Sequence, residues 1–192
     1  MHRLILASAS PRRRELLKQA GFKFEVQPAH INEDLHADED PIGYVVRLAR
    51  EKAEAVYAQM RDPEAVVLGA DTTVTLDGHI LAKPQDAADA ARMLRLLSGR
   101  THRVITGVGI TSRLGVEVAA EVTGVQFLTL GDEEIAAYVA TDEPMDKAGA
   151  YGIQGYAAKW IPRIEGCYFN VVGLPLATVS TMLEPHRLRK NQ

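Results

Sequence analysis

Ala65-Val66-Val67-Leu68-Gly69-Ala70-Asp71-Thr72-Thr73-Val74-Thr75-Leu76-Asp77-Gly78-His79-Ile80-Leu81-Ala82 is the stretch that decides the fold. Residues 65–70 carry no polar side chain, so both alternating faces are apolar. A strand of that kind is covered on both sides, as in sheets with helices packed on each face. Asp77-Gly78 is a strong two-residue turn signal, and 79–82 returns as the second strand of a hairpin.

On the N-terminal side, 3–7 reads as a short buried strand and Ser8-Ala9-Ser10 as a turn. Pro11 opens a helix that runs to about residue 20, where Gly21 stops it. Residues 22–27 alternate as a strand, 30–40 is a polar loop, and Pro41 opens a long helix to about residue 60. On the C-terminal side, 86–97 is an amphipathic helix. Residues 103–111 and 116–130 read as long strands joined at Gly115, and 132–140 as a helix. The segment 146–155 is glycine-rich and irregular, 170–172 a short strand, and Pro175 the start of a last helix. The basic tail from about 185 to 192 is expected to fray. Strands and helices alternate through mixed connections, so the expected class is α/β with a mixed sheet flanked by helices.

The chain of 192 residues suits one domain or two tightly joined lobes. A chain this long buries roughly 70% of its unfolded surface, so folding requires no metal or disulfide staple. A formal net charge of −3 gives no bulk argument for a nucleic-acid or membrane partner. Any anionic ligand must then be held by a local cluster of bases. The single cysteine, Cys167, has no internal partner, and no Cys/His group has zinc-finger spacing. The apolar stretch in MHRLILASASPRRR is too short for a signal peptide and its basic run lies on the wrong side. No apolar run approaches the roughly 20 residues of a membrane span. The expected location is the cytoplasm.

Several residues stand out against this background. In Ser8-Ala9-Ser10-Pro11-Arg12-Arg13-Arg14, Ser10 is a good N-cap and Pro11 a good first helical residue. A capping box wants Glu or Gln where Arg13 stands. Three arginines in that first turn each cost roughly 0.3–1 kcal/mol against the helix dipole. A bound phosphate would reverse the sign, because free N–H groups and guanidinium forks would converge on it. A solvated basic turn is the alternative. In the helix after Pro41, Val45, Leu48, Ala49 and Val56 form the apolar stripe. At about 100° per residue, Lys52 falls near its middle. A lysine there either snorkels to water or points into a polar cavity. Asp71, inside the apolar strand, needs a cation, a metal or a hydrogen-bond network. It is a candidate metal ligand or general base, with a structural turn cap as the alternative.

If Asp77-Gly78 makes a two-residue hairpin, Lys83 lies across from Thr72, next to Asp71. An ideal ladder puts Lys83 and Asp71 on opposite faces, and Pro84 must break that ladder. The geometry supports proximity and no more. Glu33, in Asn32-Glu33-Asp34, reads by itself as a solvated loop charge. The glycines of Asp146-Lys147-Ala148-Gly149-Ala150-Tyr151-Gly152-Ile153-Gln154-Gly155 suit either a close approach to a ligand or a structural turn. Gln154 offers paired donor and acceptor atoms suited to a base edge. There is no GxxxxGK[ST] phosphate loop. His30, His36, His79, His102 and His186 fall in predicted turns or tails and read as surface residues, and His2 is uninformative.

SASPRRRELL, GADTTV, the KP at 83–84, DKAGAYGIQG and GCYFNVVGLPL together closely resemble the Maf family of nucleotide pyrophosphatases. The match runs in order from Leu4 to about Leu183 and is similar above all to the subfamily associated with dTTP and UTP. The resemblance implies a single Maf-type domain over 1–192, bilobed but not separable in sequence. It implies a fold similar to that of inosine triphosphate pyrophosphatases, with the active site in the cleft between lobes. It also implies a homodimer and a divalent cation, Mg²⁺ or else Mn²⁺ or Co²⁺. The implied reaction is hydrolysis of the α–β phosphoanhydride of dTTP, UTP and some modified pyrimidine triphosphates. By the same resemblance Asp71 is the proton acceptor, and Arg12, Thr72 and Gln154 influence substrate choice. Ser8, Arg13, Glu33, Lys52 and Lys83 line the phosphate and metal site. The family is further associated with septum formation and growth arrest.

These readings combine into one expectation. Ser8, Ser10, Arg12, Arg13, Thr72 and Gln154 bind a small nucleotide, Lys52 and Lys83 neutralise charge at the α-phosphorus, and Asp71 with Glu33 holds the metal while Asp71 activates water. A non-catalytic nucleotide-binding regulator of cell division would share the phosphate cluster without needing Asp71 or a metal. Nucleic-acid binding through Arg12–Arg14 and the tail is disfavoured by the charge balance and the lack of an aromatic platform.

Overall fold

A computed structural model describes residues 2–186 and Leu188. Its strands are β1 (Leu4–Leu6), β2 (Phe24–Val26), β3 (Val66–Leu76), β4 (His79–Leu81), β5 (Thr101–Ser112), β6 (Gly115–Gln126) and β7 (Arg163–Glu165). Its helices are α1 (Pro11–Gln19), α2 (Pro41–Tyr57), α3 (Ala87–Leu97), α4 (Asp132–Val139), α5 (Tyr168–Val172) and α6 (Leu176–Leu183). The strand order is β2-β1-β3-β5-β6-β7, with β4 also paired to β3. β1 runs parallel to both β2 and β3, whereas β4 on β3 and β7 on β6 are antiparallel. The architecture is the mixed α/β sheet flanked by helices that the apolar run foretold. Asp77 (φ 52°) and Gly78 (φ 82°) both take left-handed backbone, which makes the two-residue turn between β3 and β4.

The chain divides into two interleaved units. The first comprises Met1–Asp71, Thr106–Glu121 and Gly173–Gln192, the second Thr72–Ile105 and Val122–Val172. In the first unit, β1 and the start of β3 are buried on both faces. Ile5, Ala7, Ala65 and Val67 share a face and pack against Ala53 and Val56 of α2. Period-two alternation continues that face through Gly69 to Asp71. A Cβ at Gly69 would run into the backbone carbonyl of Ala49, and one at Gly107 into that of Val45. At Gly109 it would lie 2.9 Å from the Ala49 carbonyl oxygen. Three glycines thus let the α2 backbone rest almost directly on the strands.

The second unit is built differently. Met93, Leu94 and Leu97 of α3, Ile135 and Tyr138 of α4, and Val74, Val104 and Phe127 form one apolar core with Tyr151 and Trp160. Rings meet edge-on, with Phe127 4.8 Å from Tyr151 and Tyr138 5.0 Å from Trp160 between centroids, while Tyr138 stacks on Tyr156 at 5.3 Å.

The structure corrects several expectations. Residues 170–172 are the end of a short helix, α5, not a strand. Asn170 is buried there and donates to the Val104 carbonyl (3.0 Å) and to Thr123 Oγ1 (2.9 Å), tertiary bonds that override the β-branched pattern. β7 was not anticipated, and β6 ends at Gln126 rather than 130. His102 and His186 are buried rather than at the surface. Glu184–His186 forms a 3-10 turn and His2 makes a parallel bridge to Leu188. The rest of the tail expected to fray, residues 187 and 189–192, lies outside the described residues. No helix among the described residues is long and apolar enough to cross a membrane.

Candidate active site

Lys52 does not snorkel. It is 8% exposed, and its Nζ lies 2.7 Å from Asp71 Oδ1 and 2.8 Å from Glu33 Oε1. The strand's alternation aims Asp71 at α2, the glycines bring α2 close, and the lysine stem spans what remains. The Asp71 side chain is only 13% exposed, while that of Glu33 is 54% exposed. One ammonium therefore joins a sheltered carboxylate to a solvent-facing one. Removing a partner from such a sheltered pair leaves an uncompensated charge, which is costly.

Beside them is the turn into α1. Ser10 caps the helix, its Oγ accepting from the Arg13 N–H at 3.4 Å, with Pro11 at the first helical position. Ser8 Oγ accepts from the Ser10 N–H and from Arg13 Nη1, each at 3.2 Å. Arg13 folds inward: Nε donates to the Gly173 carbonyl and Nη1 to the Ala70 carbonyl, both at 2.9 Å. Burial draws the guanidinium's proton affinity below its ordinary value, and neighbouring Asp71 works against that shift. Arg13 thus ties the turn to the end of the buried strand and sets a fixed positive charge beside Asp71. Arg12 is half-buried on the same turn.

The loop carrying Glu33 has neither helix nor strand from residue 27 to 40. Two α2 side chains that the sequence reading missed hold it. Tyr44 Oη donates to the Glu33 carbonyl at 2.9 Å, and Arg47 Nη2 to the Asp34 carbonyl at 3.0 Å. Arg47 also forks onto Glu39 at 2.6 and 2.8 Å, and that hydrogen bonding pulls the Glu39 carboxyl down to about 2. Burial first, then Asp71 and Glu33, raise the Tyr44 phenol. Spacing along α2 was the available signal, because Tyr44 and Arg47 lie one turn apart ahead of Lys52. Their targets are backbone carbonyls of an irregular loop, which no periodicity reveals.

Thr72, Lys83 and Gln154 belong to the second unit. Ladder pairing ends at Val74 opposite Leu81, so Thr72 and Lys83 lie just beyond it. Lys83 is exposed in a bend ahead of α3. The Ala82 carbonyl accepts from the Gly149 N–H at 3.2 Å, so the glycine-rich segment runs beside the Lys83 segment. Gln154 is exposed in a turn propped from beneath by Glu143. The Glu143 carboxylate accepts from Tyr138 Oη at 3.1 Å and from the Tyr156 N–H at 3.5 Å. A Cβ at Gly155 would collide with Glu143 Oε1.

Asp71 and Glu33 fit a hard divalent cation in donor type, since both present carboxylate oxygens toward one positive centre. Among the described residues no group of three His, Cys, Asp or Glu side chains converges. A cation there would take its remaining ligands from water and substrate phosphate, as Mg²⁺ commonly does.

The family model described as Maf-like protein matches residues 3–186. A dTTP/UTP pyrophosphatase of Koribacter versatilis is 57% identical over 94% of this chain and 92% of its own. One from Bacillus pumilus is 50% identical over 96% of each. A solved nucleoside-triphosphatase / dITP/XTP pyrophosphatase from Mycobacterium abscessus aligns over 67% of this chain and 75% of its own. Its TM-score of 0.44 and 15% identity are too slight a likeness to carry weight. The span of the family match and the identity to these relatives place this chain in the Maf-like protein family.

Proposed function

We propose that this chain is a nucleoside triphosphate pyrophosphatase that converts dTTP and UTP, with some modified pyrimidine triphosphates, to the monophosphate and pyrophosphate. The observation that carries the proposal is the sheltered Lys52–Asp71 pair, joined by Glu33 and set beside Arg13, a concentration of charge that folding does not require. The names borne by relatives at 50–57% identity support the choice of reaction and base.

In this reading a water oxygen attacks the α-phosphorus as the bond from that phosphorus to the α–β bridging oxygen breaks, and pyrophosphate leaves. Asp71 accepts the proton that the water gives up. The Lys52 side chain offsets the negative charge that builds on the phosphoryl oxygens. Ser8, Ser10 and Arg12 hold the triphosphate at the α1 turn, while Arg13 contributes its fixed charge. A divalent cation held by Asp71 and Glu33 would supply further charge neutralisation to the phosphate oxygens. The family resemblance assigns Lys83 to the phosphates, and Thr72 and Gln154 to the choice of base. It also supports a single two-lobed domain, a homodimer and a cytoplasmic location.

The test is a panel of common and modified triphosphates with Mg²⁺ or Mn²⁺, with products resolved as pyrophosphate or phosphate. Pyrophosphate from dTTP and UTP, little from purine nucleotides and none with EDTA is the expected result. Turnover of a different base would overturn the specificity, and no turnover of any triphosphate would overturn the reaction.

A further inference from the structure

We infer that Tyr44 and Arg47 are positioning residues that clamp the loop bearing Glu33 onto α2 and so deliver its carboxylate to Lys52 and Asp71. The inference rests on the pyrophosphatase reading and extends it to two residues with no role so far.

Glu33 has no element of its own. Its loop runs without helix or strand from 27 to 40, and its side chain is more than half exposed. Left to itself, such a segment samples many backbone states, each of which moves the carboxylate. Yet two successive carbonyls, those of Glu33 and Asp34, are taken by Tyr44 Oη (2.9 Å) and Arg47 Nη2 (3.0 Å). Both donors come from the helix that supplies Lys52. Further along the loop, Glu39 grips the same guanidinium through both oxygens and accepts from the His36 N–H at 3.2 Å. Arg47 lies against the Tyr44 ring, 5.7 Å from its centroid, so the two donors also support each other.

The distribution of bonds is the telling point. Tyr44 and Arg47 hold the loop by its backbone, so its course does not depend on the Glu33 side chain. The Glu33 carboxylate, relieved of that task, meets Lys52 Nζ at 2.8 Å. One rigid helix then fixes Lys52 and the Glu33 loop in a common frame, while β3 supplies Asp71. Positioning of this kind acts on turnover, because a shift of about 1 Å at a reacting group costs on the order of a hundredfold in rate.

The experiment compares wild type, Tyr44→Phe, Arg47→Met and Glu33→Gln, with each of the first two also combined with Glu33→Gln. Kinetics on dTTP are measured across Mg²⁺ concentration, and amide exchange is followed over residues 33–36. Tyr44→Phe should lower kcat by roughly fivefold and Arg47→Met by roughly twentyfold, within the range set by mispositioning. KM for the nucleotide should stay within about twofold while the Mg²⁺ needed for half-maximal rate rises. In the Glu33→Gln background neither change should cost anything further, since the group being positioned is already gone. Both single variants should speed exchange in the loop. Losses that simply add to that of Glu33→Gln, or loop exchange unchanged from wild type, would overturn the inference. If wild type turns over no triphosphate, the functional reading fails and loop exchange alone decides the clamp. Should Arg47→Met not fold, Tyr44→Phe removes a single oxygen and decides the matter by the same measurements.

Discussion

The two units place their candidate functional groups by opposite means. In the first, Lys52 and Asp71 are charges sheltered among regular elements, and Lys52 also holds the solvent-facing Glu33. In the second, Lys83 and Gln154 are exposed on irregular backbone, and the Gln154 turn is braced by the half-buried carboxylate of Glu143. Mutual charge pairing restrains the groups it joins and suits groups that act on a reacting bond. The propped, exposed turn of Gln154 presents its side chain without fixing it as tightly, which suits recognition.

The largest expected effect tests the first arrangement. Asp71→Asn keeps the shape of the side chain and should leave a folded protein with kcat lowered by at least about a hundredfold, the scale of lost general-base assistance. Near-normal turnover in a folded variant would remove Asp71 from the chemistry and dissolve the contrast. Next comes Gly69→Ala. Its Cβ meets the Ala49 carbonyl, so α2 must move or the strand must bend. Overpacking of this kind costs about 1–3 kcal/mol or more, and Tm should fall by roughly 2–4 °C per kcal/mol in a chain of this size. Activity should fall with it, because Lys52 moves with the helix. An unchanged Tm would show that the close helix approach is dispensable.

A third prediction belongs to the second unit. His102 is buried, its Nε2 lies 2.7 Å from Tyr151 Oη, and burial lowers its pKa to about 4. The unfolded chain, with an ordinary value near 6.5, therefore binds a proton that the folded one refuses. Its contribution to stability is complete above that ordinary value and drains away as pH falls toward 4. His102→Gln should flatten the fall in Tm over that interval, and a slope equal to wild type would refute the assignment. The smallest effect should be the most selective. Gln154→Ala should leave Tm alone and shrink the preference for dTTP over purine triphosphates by about tenfold, the net worth of one hydrogen bond. A drop in kcat on every nucleotide alike would put Gln154 in the chemistry and erase the division of labour.

How far these features were legible follows from the kind of pattern each obeys. Period two placed Asp71 in a covered strand, and period 3.6 placed Lys52 on the buried stripe of α2. Ser10 and Pro11 announced the start of α1 by local chemistry alone. Asp77-Gly78 announced the turn, but pairing stops at Val74 opposite Leu81, so register could not carry Lys83 any further. Asn170-Val171-Val172 misled because β-branched residues favour strands, while the bonds that decide the matter run to Val104 and Thr123, far along the chain. His102 was misread because a histidine near a turn usually faces water. Tyr44 and Arg47 escaped notice because what they hold is backbone, and backbone leaves no mark in a sequence.

The interleaving of the chain also bears on how the protein comes into being. Asp71 ends the first segment of its unit, but Gly107 and Gly109, on which α2 rests, arrive some thirty-five residues later, and the Gly173 carbonyl that anchors Arg13 arrives near the end. A ribosome-bound chain of 105 residues would hold Lys52, Asp71, Glu33 and the α2 side chains that brace them, yet lack the two β5 glycines under α2 and the Gly173 anchor for Arg13. Contacts this distant in sequence form slowly compared with the closing of neighbouring helices. Stalled or truncated chains should therefore carry the candidate site residues without their full support, and the Arg13 anchor should form only after synthesis is nearly complete.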